Sequence, residues 1–264
     1  MRPGYGGAMS ILALPARAKP LILLSAGLVG ASVILLSQHD SAAVPLAVLA
    51  LIASGYVADA ITGMAHFAFD YVLPYNISVF GPIAREFNEH HDEPTLDPSD
   101  YVENFTKGAY ASLSAVALTF ALLCVLPQTS LGFFVAALGA GLGLWALFFH
   151  QIHSYAHVGS KLGPEAFNKR VAEIAQMGSE PEQMRAFQDL FDTVPIPAPI
   201  RFLQRFRLIL CPERHNLHHL LFEKNFSSVN GWSDPLLNLF LQPLARRYKA
   251  RRAAALPAQG KGAS

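Results

Sequence analysis

The chain has 264 residues, of which 52% are hydrophobic and only 15% are charged, and its mean hydropathy is positive. A soluble domain usually carries about 25% charged residues, so this composition argues against an ordinary soluble protein. The formal net charge of +1 hides an uneven distribution, because the C-terminal part is basic and the apolar segments are almost uncharged. No nucleic-acid partner is expected.

Four apolar segments are long enough to cross a bilayer: residues 20–38, 43–68, 109–127 and 131–150. Each is close to the ~20 apolar residues that a hydrocarbon layer about 30 Å thick requires. A second segment follows the first at once, so the first is not expected to be a cleaved signal peptide. We predict an all-α, polytopic membrane protein with about four transmembrane helices.

The remaining segments divide the chain further. Residues 1–19, rich in Gly, Pro and Ala, are expected to be flexible, and residues 20–249 to form a single membrane domain. Within that domain, residues 160–194 are interpreted as a cytoplasmic helical insert. Residues 250–264 are predicted to be a disordered tail. In the fourth apolar segment, Gly139 and Gly143 predict close helix packing.

The lysine and arginine residues indicate the orientation in the membrane. Three precede the first apolar segment, two lie between the second and third, and fifteen follow the fourth. The two remaining connections contain none. Since Lys and Arg are retained on the cytoplasmic side, both termini and the 70–108 loop are predicted to be cytoplasmic in a multi-pass protein. Abundant alanine and an excess of Arg over Lys point to a bacterial inner membrane. In a eukaryote, the corresponding location would be the endoplasmic reticulum.

Eight of the ten histidines form four tight groups, each just beyond the end of an apolar segment. The orientation derived from charge places all four groups on one side of the membrane, as a cytoplasmic histidine-rich helical cap. Neutral imidazole binds iron, zinc or copper, and eight ligands are too many for one ion. A dinuclear metal site is therefore predicted. Its candidate ligands are His66, His90, His91, His153, His157, His215, His218 and His219.

The spacing and the neighbouring residues refine this site. His153 and His157 lie four residues apart, so one helix presents both rings on the same face. Adjacent pairs such as His90-His91 are able to reach two centres. Thiolate ligands and an H-E-x-x-H motif are missing from the sequence, and an all-imidazole site fits iron, copper or zinc about equally. Three carboxylates are expected to support the ligands by holding ring N–H groups: Asp59, Asp70 and Glu89. His150, one helical turn before His153, is interpreted as either a ninth histidine ligand or a donor that supports the ligands.

Several motifs together resemble the lipid desaturase family that includes Kua and plasmanylethanolamine desaturase. They are A-D-A-I-T-G-M-A-H-F, E-H-H-D-E-P-T, D-Y-V-E-N, Q-I-H-S-Y-A-H and H-N-L-H-H followed by N-G-W, between about Ala58 and Leu239. In three places the chain departs from the family. Leu221-Phe222-Glu223 replaces the Pro-His of the plasmanylethanolamine branch, and the interval from His157 to His215 is longer. His150 replaces a residue that is usually not histidine.

The resemblance implies a membrane enzyme that uses two iron ions and O₂ to introduce a double bond into a lipid alkyl or acyl chain. By motif position, the eight histidines are its metal ligands. Electrons would come from an external donor such as cytochrome b5 or ferredoxin. Two alternatives stay open: a lipid hydroxylase with the same histidine core, and a non-catalytic membrane metal-binding or transport protein.

Overall fold

All regular structure in the described part of the chain is helical, which confirms the all-α prediction. The computed structural model describes residues 44–78, 80–92, 96, 98–125, 129–157, 164–190 and 196–255, and residues 23, 25, 27 and 30 of the first apolar segment. Residues 1–19, predicted to be flexible, and most of the first apolar segment lie outside the described residues.

Nine helices follow one another within these described ranges. In chain order they are α1 Val44–Phe67, α2 Gly81–Asp92, α3 Tyr101–Val125, α4 Ser130–Ala156, α5 Pro164–Ile174, α6 Glu180–Gln188, α7 Ala198–Arg205, α8 Pro212–Leu221 and α9 Asp234–Ala255.

Helices α1 and α4 correspond to the second and fourth predicted segments. By length and composition, both are able to cross a membrane. Helix α4 continues six residues beyond the predicted end and so carries His153 on its last turns. Helix α3 begins eight residues before the predicted start, and its polar first turns are stabilised by ion pairs of Lys107 with Glu103 and Glu86. That the chain crosses the membrane four times stays a prediction.

Small residues let α3 and α4 approach closely, as predicted from the glycines of the fourth segment. A Cβ atom on Gly139 would overlap the hydroxyl of Thr119, and one on Gly143 would lie 2.6 Å from a valine methyl on α3. From the other side, a Cβ on Gly108 would overlap the carbonyl oxygen of Leu147. The backbones therefore meet where no side chain intervenes.

The 160–194 segment supports the helix that carries the last three histidines. Helices α5 and α6 lie in its described part, so this part of the segment is helical as predicted. Ile174 and Phe187, both fully buried, share a hydrophobic cluster with Leu217 and Leu220 of α8. The segment thus packs against α8 and holds it in place.

Helix α9 runs beside α1 and extends into the predicted tail. Leu237 lies against Gly63, and Ala245 packs in a cluster with Phe67 and Tyr71. The prediction of disorder is wrong for residues 250–255, because the helix continues to Ala255. Alanine and arginine are among the best helix formers, which explains this extension. Residues 256–264 lie outside the described residues.

Candidate metal centre

Four helices direct polar side chains into one buried cluster. It is assembled from the C-terminal ends of α1, α2 and α4, and from α8. The members are His66 and Asp70, His90 and His91, His153 and His157, and His215, His218 and His219. All eight histidines predicted as ligands therefore come together, although they span about 150 residues of sequence.

A widened helical turn brings Asp70 into this cluster. After Phe67 the chain continues as a π-helical turn, Ala68–Val72, closed by a hydrogen bond from the Leu73 N–H to the Ala68 carbonyl at 2.8 Å. Such turns occur frequently at functional sites. The carboxylate of Asp70 is buried and lies 3.6 Å from Nε2 of His66.

The cluster divides into two groups, within each of which the candidate ligand atoms lie within 4.8 Å of one another. Each pair of adjacent histidines is split between them, because neighbouring residues on a helix point in different directions. The five-imidazole group is His90, His153, His157, His215 and His219. The four-residue group is His66, Asp70, His91 and His218.

The spacing within the five-imidazole group fits a metal ion. Nε2 of His215 lies 2.7 Å from Nε2 of both His153 and His157, and 3.0 Å from that of His219. A metal–nitrogen distance of 2.0–2.1 Å would separate neighbouring ligand atoms by about 2.9–3.4 Å. Four lone pairs thus converge on one point at nearly the spacing that coordination requires.

The four-residue group centres on the carboxylate of Asp70. Its Oδ1 lies 3.1 Å from Nε2 of His91, and its Oδ2 lies 3.5 Å from Nε2 of His218. The sequence predicted a supporting role for Asp70, behind a histidine ring. The structure instead places its oxygens on the same side as the imidazole Nε2 atoms, so Asp70 is a candidate ligand itself.

Burial and neighbouring rings keep several of the imidazoles neutral. Burial, followed by the nearby rings of His91 and His218, lowers the pKa of His90 to about 3. Burial followed by neighbouring imidazoles also holds the pKa values of His157, His215 and His219 well below the ordinary value. Since only neutral imidazole binds a metal, the lone pairs are available without loss of a proton.

Two backbone carbonyls orient the histidines of the four-residue group. Nδ1–H of His66 donates to the carbonyl of Phe226 at 2.9 Å, and Nδ1–H of His218 donates to that of Lys224 at 2.9 Å. These bonds fix the tautomer and leave both Nε2 atoms as acceptors toward the group. Sequence reasoning missed these carbonyls, since a backbone oxygen has no residue signature.

The structure corrects the roles predicted for Asp59 and Glu89. Asp59 is fully buried, but its Oδ1 accepts hydrogen bonds from the backbone N–H groups of residues 229–231, at 2.8–3.2 Å. It holds a loop and not a histidine ring. Glu89 is exposed at the surface of α2, where water satisfies a carboxylate at little cost.

His150 stands apart from both groups. Its half-buried ring lies 4.8 Å from the ring of Phe149, and it contributes no atom to either set of candidate ligands. We expect His150→Ala to leave the metal content of the purified protein unchanged, as for most substitutions away from a site. Elemental analysis of the purified protein checks this, and a lower metal content would make His150 a ninth histidine ligand.

Fold and site together define an all-helical, histidine-rich protein with two residue groups able to hold a metal ion. Residues 55–179 match the sequence profile of the lipid desaturase domain. The resemblance seen in the motifs is thereby confirmed. The matched range ends before α8, and the structure joins the three histidines of α8 to the five within the range.

One similar protein is plasmanylethanolamine desaturase from Myxococcus xanthus. It is 27% identical over 217 residues, which cover 80% of this chain and 63% of the relative. The chain thus spans less than two thirds of the length of that relative. No solved structure matches the chain.

Proposed function

We propose that this protein is a membrane-bound, di-iron lipid desaturase that uses O₂ and an external electron donor. The observation that carries the proposal is the convergence of seven buried histidines, the half-buried His90 and the buried Asp70 into two adjacent groups. The lipid desaturase domain supports the same activity.

Each group would hold one iron ion, which its neutral imidazoles and the Asp70 carboxylate suit. When bound, the ions supply the oxidising power for removing hydrogen from two adjacent carbons of a lipid chain. The two substrate hydrogens, two external electrons and two protons together reduce O₂ to two water molecules. The relative's name makes ether phospholipids of the plasmanylethanolamine type the first substrates to test.

Aromatic side chains keep water away from the four-residue group. The ring of Phe87 lies 5.1 Å from that of His66, Phe222 lies 4.5 Å from His91, and Phe226 packs against His218. These rings form apolar walls beside the imidazoles of the four-residue group. Such walls favour a hydrocarbon chain over water as the neighbour of the reacting centre.

Exposed apolar side chains on α1 support a membrane location. Leu49, Ile52 and Ile61 are each at least half exposed, although they belong to a helix long enough to span a bilayer. A helix in the core of a soluble protein would bury such residues. Their exposure matches a helix whose outer face meets lipid.

Helix α9 carries a second apolar surface that would face the membrane. Leu236, Leu239, Phe240 and Leu244 recur at helical spacing, and Leu239 is 70% exposed. The basic residues Arg246, Arg247, Lys249 and Arg251 follow on the same helix. An apolar stripe followed by positive charges suits a helix that leaves the hydrocarbon layer at anionic head groups. The same cationic end would face an acidic electron donor such as cytochrome b5 or ferredoxin.

The test is expression of the full chain in a host membrane, followed by metal analysis of the purified protein and mass spectrometry of the lipids. We expect two iron ions per chain and a lipid that has lost two hydrogens. A lipid that gains one oxygen would indicate the hydroxylase. Full metal occupancy with an unchanged lipid profile would indicate a metal-binding or transport protein, and zinc in place of iron would contradict the di-iron proposal.

A further inference from the structure

Asp59 is a fully buried carboxylate for which the proposed metal centre has no direct use. Its Oδ1 accepts three backbone N–H groups, from Val229 at 3.2 Å, Asn230 at 2.8 Å and Gly231 at 2.9 Å. Its Oδ2 accepts the N–H of Ser233 at 2.8 Å and the hydroxyl of Ser233 at 2.7 Å. Five donors from one loop thus surround a single negative charge.

The backbone conformation of residues 224–233 directs these donors toward the Asp59 carboxylate. Gly231 has a φ of 75°, in the left-handed region that favours glycine, and its carbonyl accepts a hydrogen bond from Arg214 at 2.6 Å. Successive N–H groups in such a turn converge and form an anion-binding concavity. Here the anion is the side chain of Asp59, so the two elements hold each other.

The same 224–233 loop provides the carbonyls that orient two histidines. Those carbonyls belong to Lys224 and Phe226, and both rings that they hold, His218 and His66, are members of the four-residue group. By contrast, Nδ1 of His157, of His215 and of His219 has no hydrogen-bond partner among the described residues. The loop therefore serves one of the two groups selectively.

The position of Asp59 along α1 shows how the loop is anchored. Asp59 precedes His66 by seven residues, which is about 10 Å along a helix. The loop passes from the carbonyl at His66 back to Asp59, and α9 then returns with Leu237 against Gly63. Backbone N–H groups that are buried away from water need a partner inside the protein. The carboxylate supplies these bonds.

We propose that Asp59 is a positioning residue for the four-residue group. It anchors the 224–233 loop, whose carbonyls then hold His66 and His218 with their Nε2 atoms facing the metal position. Asp59 acts through the loop and touches neither the metal nor the substrate. This inference rests on the proposed metal centre.

The test is Asp59→Asn in the full chain, purified without metal and titrated with ferrous iron in the absence of oxygen. The amide keeps the shape but turns an NH₂ group toward backbone donors. We expect the affinity for one of the two ions to fall by about 10–100-fold, as for other residues that orient metal ligands, while the other ion binds normally. His66→Ala removes one of the rings that the loop holds. In that background, Asp59→Asn should therefore lower the iron affinity little further.

Two more variants separate this role from a general loss of structure. Gly231→Ala strains the loop itself, because Gly231 has a φ of 75° that disfavours a Cβ atom. It should lower the affinity for the same ion. Ser54→Ala removes a buried hydroxyl that donates to the Leu51 carbonyl of its own helix at 2.7 Å, and it should leave both affinities unchanged. If Asp59→Asn does not fold, Gly231→Ala and Ser233→Ala carry the test.

The outcomes distinguish this inference from the proposed function. If the wild type does not bind two ions, the proposed metal centre fails. If the wild type binds two ions, and Asp59→Asn and Gly231→Ala also bind two with unchanged affinity, only the role of Asp59 is overturned. An equal loss of affinity for both ions, together with a lower unfolding temperature, would also overturn the role of Asp59, since that pattern indicates a structural residue.

Discussion

His218→Ala is expected to remove one metal ion per chain and to abolish formation of the lipid product, while the protein remains in the membrane. His218 belongs to the four-residue group, so its loss leaves only three candidate ligands, one of them the carboxylate of Asp70. The apolar rings around the group offer no replacement. Metal content, membrane fractionation and lipid mass spectrometry of one preparation would measure all three effects.

The five-imidazole group provides the comparison. His153→Ala leaves four imidazoles there, so we expect it to retain more metal than His218→Ala, although its product formation should also fall. His150→Ala removes an imidazole outside both groups and serves as the control. Retained product formation in the His218 variant would contradict its role as a ligand.

Gly108→Ala is expected to destabilise the folded protein more than any other single methyl addition in the α3–α4 contact. The new Cβ would overlap the backbone oxygen of Leu147 and lie 2.8 Å from that of Ala146. Backbone atoms cannot rotate away as a side chain can, so the helices must separate. Overpacking of this kind costs about 1–3 kcal/mol, which lowers the unfolding temperature by about 3–10 °C.

Gly178→Ala is the matched control, because a Cβ there meets no atom within 4 Å. Thermal unfolding of both variants in the same detergent would give the comparison. Equal unfolding temperatures for Gly108→Ala and the wild type would show that α3 and α4 are not packed as closely as described.

Much of the helical framework could be predicted from hydropathy, because an apolar run of about 20 residues has few alternatives to a helix. The ends of α3 and α4 could not, since polar residues such as Lys107 and His153 extend a helix when partners satisfy them. The helical end of the tail was missed for a related reason. Low hydropathy alone does not distinguish a polar helix from a disordered segment.

The candidate ligands could be predicted because imidazoles are rare and their clustering was visible along the chain. The role of Asp70 could not, since it depends on the π-helical turn after Phe67, which spacing alone does not reveal. Nor could the loop that holds Asp59. Its contacts join residues about 170 positions apart and are made by the backbone, whose chemistry is the same at every position.

The division of adjacent histidines between the two groups has a consequence for assembly. A single peptide bond links His90 to His91, and another links His218 to His219, so each of these helices reaches both groups at once. Fixing the rings of one group also restricts the backbone that presents the other. The backbone geometry of these two helices therefore sets the separation of the two groups.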